Sequence, residues 1–391
     1  MKEKILLCVS GGIAAYKAIE LASLLSKAGF VVKTVLTDNG QRFVSRINFA
    51  AITHQSVHNS LFEDSDPIPH IDLADWADLI VVAPATANIL AKAAMGIADD
   101  LLSATLLAHK KPVLFVPAMN VNMYEHPATQ ANLSVLRERG NHILEPVTGL
   151  LACGYEGKGK YPPNPEIVYA VRCYLEYPED LRGIKVLVTA GATAEPIDPM
   201  RLITNKSSGK MGLAIARAFA LRGAQVTLVH GLMEEKPPYY LHEAIFAPTV
   251  QLMQNAVIKA AKGSQIIVKC AAVSDFKPLK AASQKIKKGG SLNLDLVPTP
   301  DILAQLGKQK TKKQKLIGFA AETEKLVANA WEKLLRKNLD LICVNHLDTA
   351  GSDQTKLSLI SAGQAKTARP LELSGDKFEV ALRLVERIIQ L

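Results

Sequence analysis

The sequence predicts an α/β protein built from two doubly wound, parallel-sheet domains. Three observations predict it. In residues 1–177, short apolar runs of strand length alternate with longer segments of helical period, the pattern of a parallel sheet with crossover helices. A polar hinge, Pro178-Glu179-Asp180-Leu181-Arg182-Gly183, interrupts the pattern, which restarts over 184–391. At 391 residues the chain exceeds one ordinary core, and a hydrophobic content of 48% is enough for two.

In the first half the strand candidates are Ile5–Val9, Val31–Thr37, Leu79–Ala83, Val113–Pro117 and His142–Leu144. Between the first two, Ala14 to Ala28 keeps a helical period and stops at Gly29, a favoured residue just past a helix end. The glycines and paired prolines of Gly149–Pro163 predict a mobile loop, long enough to act as a lid. In the second half, strands are expected at Lys185–Thr189, Gln225–His230, Gln265–Cys270, Lys315–Phe319 and Leu341–Asn345. Helices are expected at Lys210–Arg222 (before Gly223), Glu324–Lys337 and Asp376 to the end.

The opening MKEKILLCVSGG reads as a strand and turn rather than a secretory signal. The most apolar window, Leu79 to Ala98, is broken by Pro84, Asn88 and Lys92. A membrane span needs about 20 apolar residues, so none is expected. Five scattered cysteines (Cys8, Cys153, Cys173, Cys270, Cys343) form no CxxC pair, which predicts reduced thiols and a cytoplasmic home. Charge is uneven. Residues 1–183 carry 16 Lys and Arg against 19 Asp and Glu, net −3, whereas the remainder carries 30 against 18, net +12. No basic helix or aromatic-rich strand accompanies that excess, so small phosphorylated ligands are expected rather than nucleic acid.

Several loops have the composition of a phosphate cradle. Ser10-Gly11-Gly12 joins the first strand to its helix and is either an anion site or a tight turn. Ala83–Asn88 and Ala98–Thr105 lie where open α/β sheets bind ligands, although Thr86 and Asn88 equally suit helix caps. In the second half, Thr189–Thr193 and Thr204–Gly212 concentrate hydroxyls, lysines and glycines. None has GxGxxG or P-loop spacing.

Together these segments resemble one family along nearly the whole chain. The first half is similar to the flavin-dependent cysteine decarboxylases through SGGIAAYK (10–17), HIDL (70–73), APATAN (83–88), GIADDLLSAT (96–105), PAMN (117–120) with Met123, and LACG (151–154). The second half resembles phosphopantothenate–cysteine ligase through EPIDPMRLITNKSSGKMG (195–212), AAVSDF (271–276), KIKK (285–288), TPDIL (299–303) and GFAAET (318–323). The resemblance implies a flavodoxin-like or Rossmann-like flavoprotein domain over 1–177, a linker over 178–183, and a Rossmann-like nucleotide-binding ligase domain over 184–391.

For the first domain, the resemblance implies FMN-dependent decarboxylation of 4′-phosphopantothenoyl-L-cysteine to 4′-phosphopantetheine. Oxidation of the thiol carbon to a thioaldehyde supplies the electron sink that a cysteine carboxylate lacks. His70 aligns with the family's base, Asn120 with the residue orienting the substrate carboxylate, and Cys153 with the proton donor. By motif, FMN contacts are Ser10, Gly11, Gly12, Thr37, Thr86, Asn88, Ser103 and Thr105. After LACG this chain departs from the family, with Tyr155 and Lys160-Tyr161 in place of an acidic residue and an Arg-Met pair.

For the second domain, the resemblance implies that CTP activates 4′-phosphopantothenate as an acyl-cytidylate, from which the amine of L-cysteine displaces CMP. Asn205 matches a residue at the activated acyl group, and Lys285 a lysine at the phosphates. Asp275 matches a nucleotide-site residue that can also hold Mg²⁺. Lys269, Cys270, Ala271, Pro300, Asp301, Ile302, Leu303, Phe319, Lys333 and Lys337 fall at the remaining nucleotide positions. Ala192 and Ala194 stand where the family usually has Gly and Arg. The resemblance further implies a dodecamer built from trimers and dimers.

Three other readings compete. A nicotinamide oxidoreductase would carry GxGxxG, which is absent. A non-catalytic flavoprotein would have no use for Asn120 and Cys153. A chain with one active domain and one scaffold is the third.

Overall fold

The computed structural model describes residues 2–62, 68–152, 154–289, 292–321, 326–345, 352–365 and 369–391. It divides into two compact units, Met1–Tyr177 and Pro178–Leu391.

In the first unit, strands β1 (Lys4–Val9), β2 (Val31–Leu36), β3 (Val57–His58), β4 (Leu79–Ala85), β5 (Val113–Pro117) and β6 (His142–Ile143) form one sheet. The sheet has order β3-β2-β1-β4-β5-β6, and all its pairings are parallel. Parallel strands must return by crossovers, so helices such as Ala15–Lys27, Ala87–Met95 and Pro127–Glu138 cover the sheet. This explains why β1 and β4 are buried almost throughout instead of alternating. The order reverses between β1 and β4, and the carboxyl ends of these two neighbours open the crevice where such sheets bind ligands.

The stretch read as a mobile loop contains an antiparallel hairpin, β7 (Val147–Leu150) with β8 (Glu156–Lys160). Its glycines serve close packing. A Cβ on Gly157 would lie 2.6 Å from Val121 Cγ2, and one on Gly159 would lie 2.3 Å from the Met119 carbonyl oxygen.

In the second unit the main sheet runs β13-β12-β9-β14-β17-β18-β19-β20. Its strands are β9 (Lys185–Ala190), β12 (Gln225–His230), β13 (Glu243–Phe246), β14 (Ile266–Lys269), β17 (Lys315–Ala321), β18 (Leu341–Asn345), β19 (Gln354–Ser361) and β20 (Leu371–Asp376). Six strands pair in parallel, and β19 and β20 extend the edge antiparallel. Strands β13, β19 and β20 lie outside the expected strands, and β19 and β20 make the sheet mixed rather than wholly parallel. Two further hairpins pair β10 (Ala194–Asp198) with β11 (Arg201–Thr204), and β15 (Phe276–Pro278) with β16 (Leu296–Pro298). The helix expected from Glu324 is described from Leu326 to Arg336; residues 322–325 lie outside the described residues. The helix Lys210–Leu221 presses on β9 so closely that a Cβ on Gly212 would lie 2.6 Å from Ala190 Cβ.

Among the described residues no helix is long and apolar enough to cross a membrane.

Candidate active sites

In the first unit, loops after β1, β2 and β4 are tied into one rim. Ser10 is 2% exposed. Its hydroxyl donates to the Pro84 carbonyl at 2.7 Å, lies 3.1 Å from the Thr86 hydroxyl, and accepts from the Thr86 amide. Thr86 therefore occupies an N-cap position without a capping bond of its own, its side chain being turned toward Ser10. Thr37 caps the short helix Asp38–Gln41, accepting from the Gly40 amide at 3.0 Å. Gly11 permits the contact between loops, because a Cβ there would sit 2.3 Å from Asn39 Cβ. Among the described residues, no backbone carbonyl accepts from the amides of Gly11, Gly12 or Ile13. These three donors precede the helix Ala15–Lys27, the arrangement that suits an anion.

Gly11→Ala is expected to force the Asn39 loop away and destabilise this unit by about 1–3 kcal/mol. A lowered denaturant midpoint for the first unit, with the second unit unchanged, is the measurement.

His70 sits in the first turn of the helix Pro69–Trp76, and its Nδ1 is buried with no partner among the described residues. Asn120 follows β5 and caps the helix Val121–Glu125, its Oδ1 accepting from the Asn122 amide at 2.8 Å. Asn88 is exposed on the helix begun by Thr86. Cys153 lies outside the described residues.

Two predicted contacts are occupied by local structure. Ser103 is 2% exposed and forms a capping box with Asp100, whose carboxylate accepts from its amide at 2.8 Å. Thr105 is fully buried, donating back to the Leu101 carbonyl at 2.7 Å. Within the chain, both hydroxyls serve the helix Leu101–Ala108.

The second unit holds a polar cleft of about 190 Å³ at the carboxyl end of β14. Its lining includes Lys269, Ala271, Asp275, Pro300, Asp301, Ile302, Leu303, Phe319, Lys333 and Lys337, ten of the positions expected at the nucleotide. Val273, Ser274 and Thr299 complete it. The last two stand inside the motifs AAVSDF and TPDIL, where a finer reading of the motifs could have found them.

Lys269 is 6% exposed, and no carboxylate pairs with it among the described residues. Burial lowers its pKa to about 8; Lys337 works in the same direction and Cys270 and Asp301 oppose it. Asp301 caps the helix Ile302–Gln309 and bonds Lys337 at 2.7 Å. Burial would raise its pKa, but Lys337 and the Ala304 amide hold it below the ordinary carboxylate range. Asp275 is exposed on the rim.

Thr193 and Asn205 brace the loop that walls the cleft. Thr193 is fully buried and accepts from the Ser274 amide at 2.9 Å. Asn205 Nδ2 donates to the carbonyls of Ala272 and Val273 at 3.3 and 3.2 Å.

Lys285 and Cys270 are not in the lining. Cys270 is a free thiol whose pKa burial pushes up to about 12, a neutral packing group rather than a nucleophile. Lys285 is exposed, and the adjoining Ile286 is held elsewhere. Its amide donates to Asp198, and its carbonyl accepts from Arg201 at 3.0 Å. Asp198, 3% exposed, also accepts from the amides of Met200 and Arg201. The KIKK segment is thus anchored to the β10–β11 hairpin. Among the described residues no group of three or more His, Cys, Asp or Glu could hold a metal ion.

The flavoprotein family matches residues 1–175, and the family described as the DNA/pantothenate metabolism flavoprotein C-terminal domain matches residues 181–391. A Bacillus subtilis protein named coenzyme A biosynthesis bifunctional protein CoaBC is 47% identical over 353 residues, covering 89% of this chain and 87% of that one. Its Haemophilus influenzae namesake is 42% identical over 390 residues, covering 98% and 96%. The Escherichia coli protein of that name is 41% identical over 349 residues, covering 88% and 86%. Likeness at this level runs through both units and their order along the chain, so the chain belongs to the family of bifunctional coenzyme A biosynthesis proteins.

Proposed function

We propose that residues 184–391 join 4′-phosphopantothenate to L-cysteine with CTP. Residues 1–177 then decarboxylate the resulting 4′-phosphopantothenoyl-L-cysteine to 4′-phosphopantetheine with FMN. Family membership over both units supports the pair of activities. The feature that carries the ligase half is a buried lysine in a polar cleft, with no carboxylate partner among the described residues. For the decarboxylase half it is the rim of three amides near the end of β1 that no backbone carbonyl among the described residues engages.

The first rim fits a flavin phosphate, since the Gly11–Ile13 amides supply donors and Gly12 leaves only 3.3 Å between a would-be Cβ and Thr86 Cγ2. Thr37, Thr86 and Asn88 would extend the contact. Bound flavin supplies a two-electron acceptor for the thiol-bearing carbon and later returns the electron pair. His70 offers an imidazole whose Nδ1 has no protein partner among the described residues, placed to take or give a proton. The Asn120 amide orients the substrate carboxylate, and Cys153 provides the returning proton.

In the cleft, Lys269, Lys333 and Lys337 face the nucleotide with positive charge, and Asp301 holds Lys337 in place. Asp275 would share Mg²⁺ with phosphate oxygens and water, the usual coordination of that ion. Asn205 would sit at the activated acyl group. Lys285 would approach the phosphates from the segment anchored by Asp198. A cytoplasmic homo-oligomer of trimers and dimers is the assembly proposed, for light scattering to test.

The chain supplied with phosphopantothenate, cysteine, CTP and Mg²⁺ is expected to release pyrophosphate, CMP and carbon dioxide, each followed separately. Pyrophosphate without carbon dioxide removes the first activity. Loss of CMP and pyrophosphate, with carbon dioxide still released from supplied phosphopantothenoylcysteine, removes the second.

A further inference from the structure

Asn120 lies in a segment gripped by the β7–β8 hairpin. The Met119 amide donates to the Gly159 carbonyl at 3.0 Å, and Gly157 packs on Val121. Only glycine permits both approaches, since a Cβ at either position would come within 2.6 Å of the segment. Lys158, between these glycines, extends to Glu145 at 2.6 Å and passes 5.5 Å from the centre of the Tyr124 ring. Tyr124 is 4% exposed and belongs to the short helix that Asn120 caps. Its hydroxyl donates to Glu145, and so does Arg137 from the helix Pro127–Glu138.

One carboxylate therefore joins β8, the Asn120-capped helix, the next helix and its own position after β6. Three donors converge on two oxygens, which only an acceptor without hydrogens can satisfy. Burial would raise the Glu145 pKa, but the bonds from Lys158 and Tyr124 prevail and hold it below the ordinary carboxylate range. The group stays ionised at neutral pH.

We propose that Glu145 is a positioning residue for the decarboxylation, latching the β7–β8 hairpin through Lys158 onto the helix that presents Asn120. The proposal rests on the function assigned above to residues 1–177. Glu145 stands in none of the segments that carry the family resemblance. It acts on geometry, and a misplacement of about 1 Å at a reacting centre can cost on the order of a hundredfold in rate.

The test uses the full chain with Glu145→Gln, Lys158→Met and the double variant. Carbon dioxide and pyrophosphate are followed in the same reactions, and exchange of the Met119 amide is measured separately. Each single variant is expected to lower kcat for carbon dioxide release about tenfold while KM moves less than about threefold. The double variant is expected to be no worse than either single one, because both break the same latch. Exchange at Met119 should quicken, and pyrophosphate release should hold. Wild-type kcat in both single variants, multiplying losses in the double variant, or unchanged exchange at Met119 would each overturn the proposal. If the unmodified chain releases no carbon dioxide, the functional reading of this unit fails, and Met119 exchange alone decides whether the latch exists.

Discussion

His70→Asn is expected to lower carbon dioxide release on the order of a hundredfold or more, leaving pyrophosphate release and bound flavin intact. The size follows from what asparagine lacks. It matches imidazole in polarity but cannot exchange a proton near neutral pH. His70 Nδ1 makes no bond within the protein among the described residues, so its removal should leave no protein group unpaired. A purely structural histidine would be engaged on its nitrogens, and its loss would lower stability. The discriminating measurements are the denaturant midpoint and the carbon dioxide rate on one preparation. Wild-type rate in this variant would remove His70 from the chemistry.

Lys269→Met is expected to do two opposite things, stabilising the second unit and weakening its use of CTP. A buried ammonium without a carboxylate destabilises the fold it sits in. The shift from 10.5 to about 8 corresponds to a penalty of about 3 kcal/mol at pH 7. Because the folded pKa lies below the unfolded one, the folded state holds fewer protons between about pH 8 and 10.5. Stability should therefore climb across that window in the native chain, whereas the penalty is constant below pH 8. In the methionine variant this climb should vanish, and the midpoint at pH 7 should rise. The half-saturating CTP concentration should rise about 30-fold or more, as when one member of a buried charge pair is removed. In the native chain the same concentration should increase as pH passes above about 8, where free Lys269 loses its charge. Unfolding curves at pH 7 and 10, with initial rates over a CTP series, measure both effects. A variant no more stable and no weaker for CTP would show that Lys269 faces neither cost nor ligand.

Much of the architecture was legible because it is local. The apolar runs that become β1, β4, β9 and β17 and the helix stop at Gly29 announce themselves within a few residues. Strand β19 was missed although Gln354–Ser361 is rich in Leu, Ile and Thr; its antiparallel pairing depends on β18 and β20. The Gly149–Pro163 stretch misled for a related reason. Glycine signals freedom in sequence, but Gly157 and Gly159 serve a close approach to Met119 and Val121.

The α/β class, the order of two units and the motifs that place the family's residues are written in the linear chain. Composition, periodicity and short spacings are all written along one dimension. How those residues are used emerges from the folded chain. It paired Ser10 with Thr86, 76 positions apart, and left His70 Nδ1 without a partner among the described residues. It turned Ser103 and Thr105 into helix supports and buried Lys269 in the cleft while holding Lys285 outside the lining. Burial and hydrogen bonding depend on which distant segments meet, and that is set by the packed chain rather than by any local run of residues.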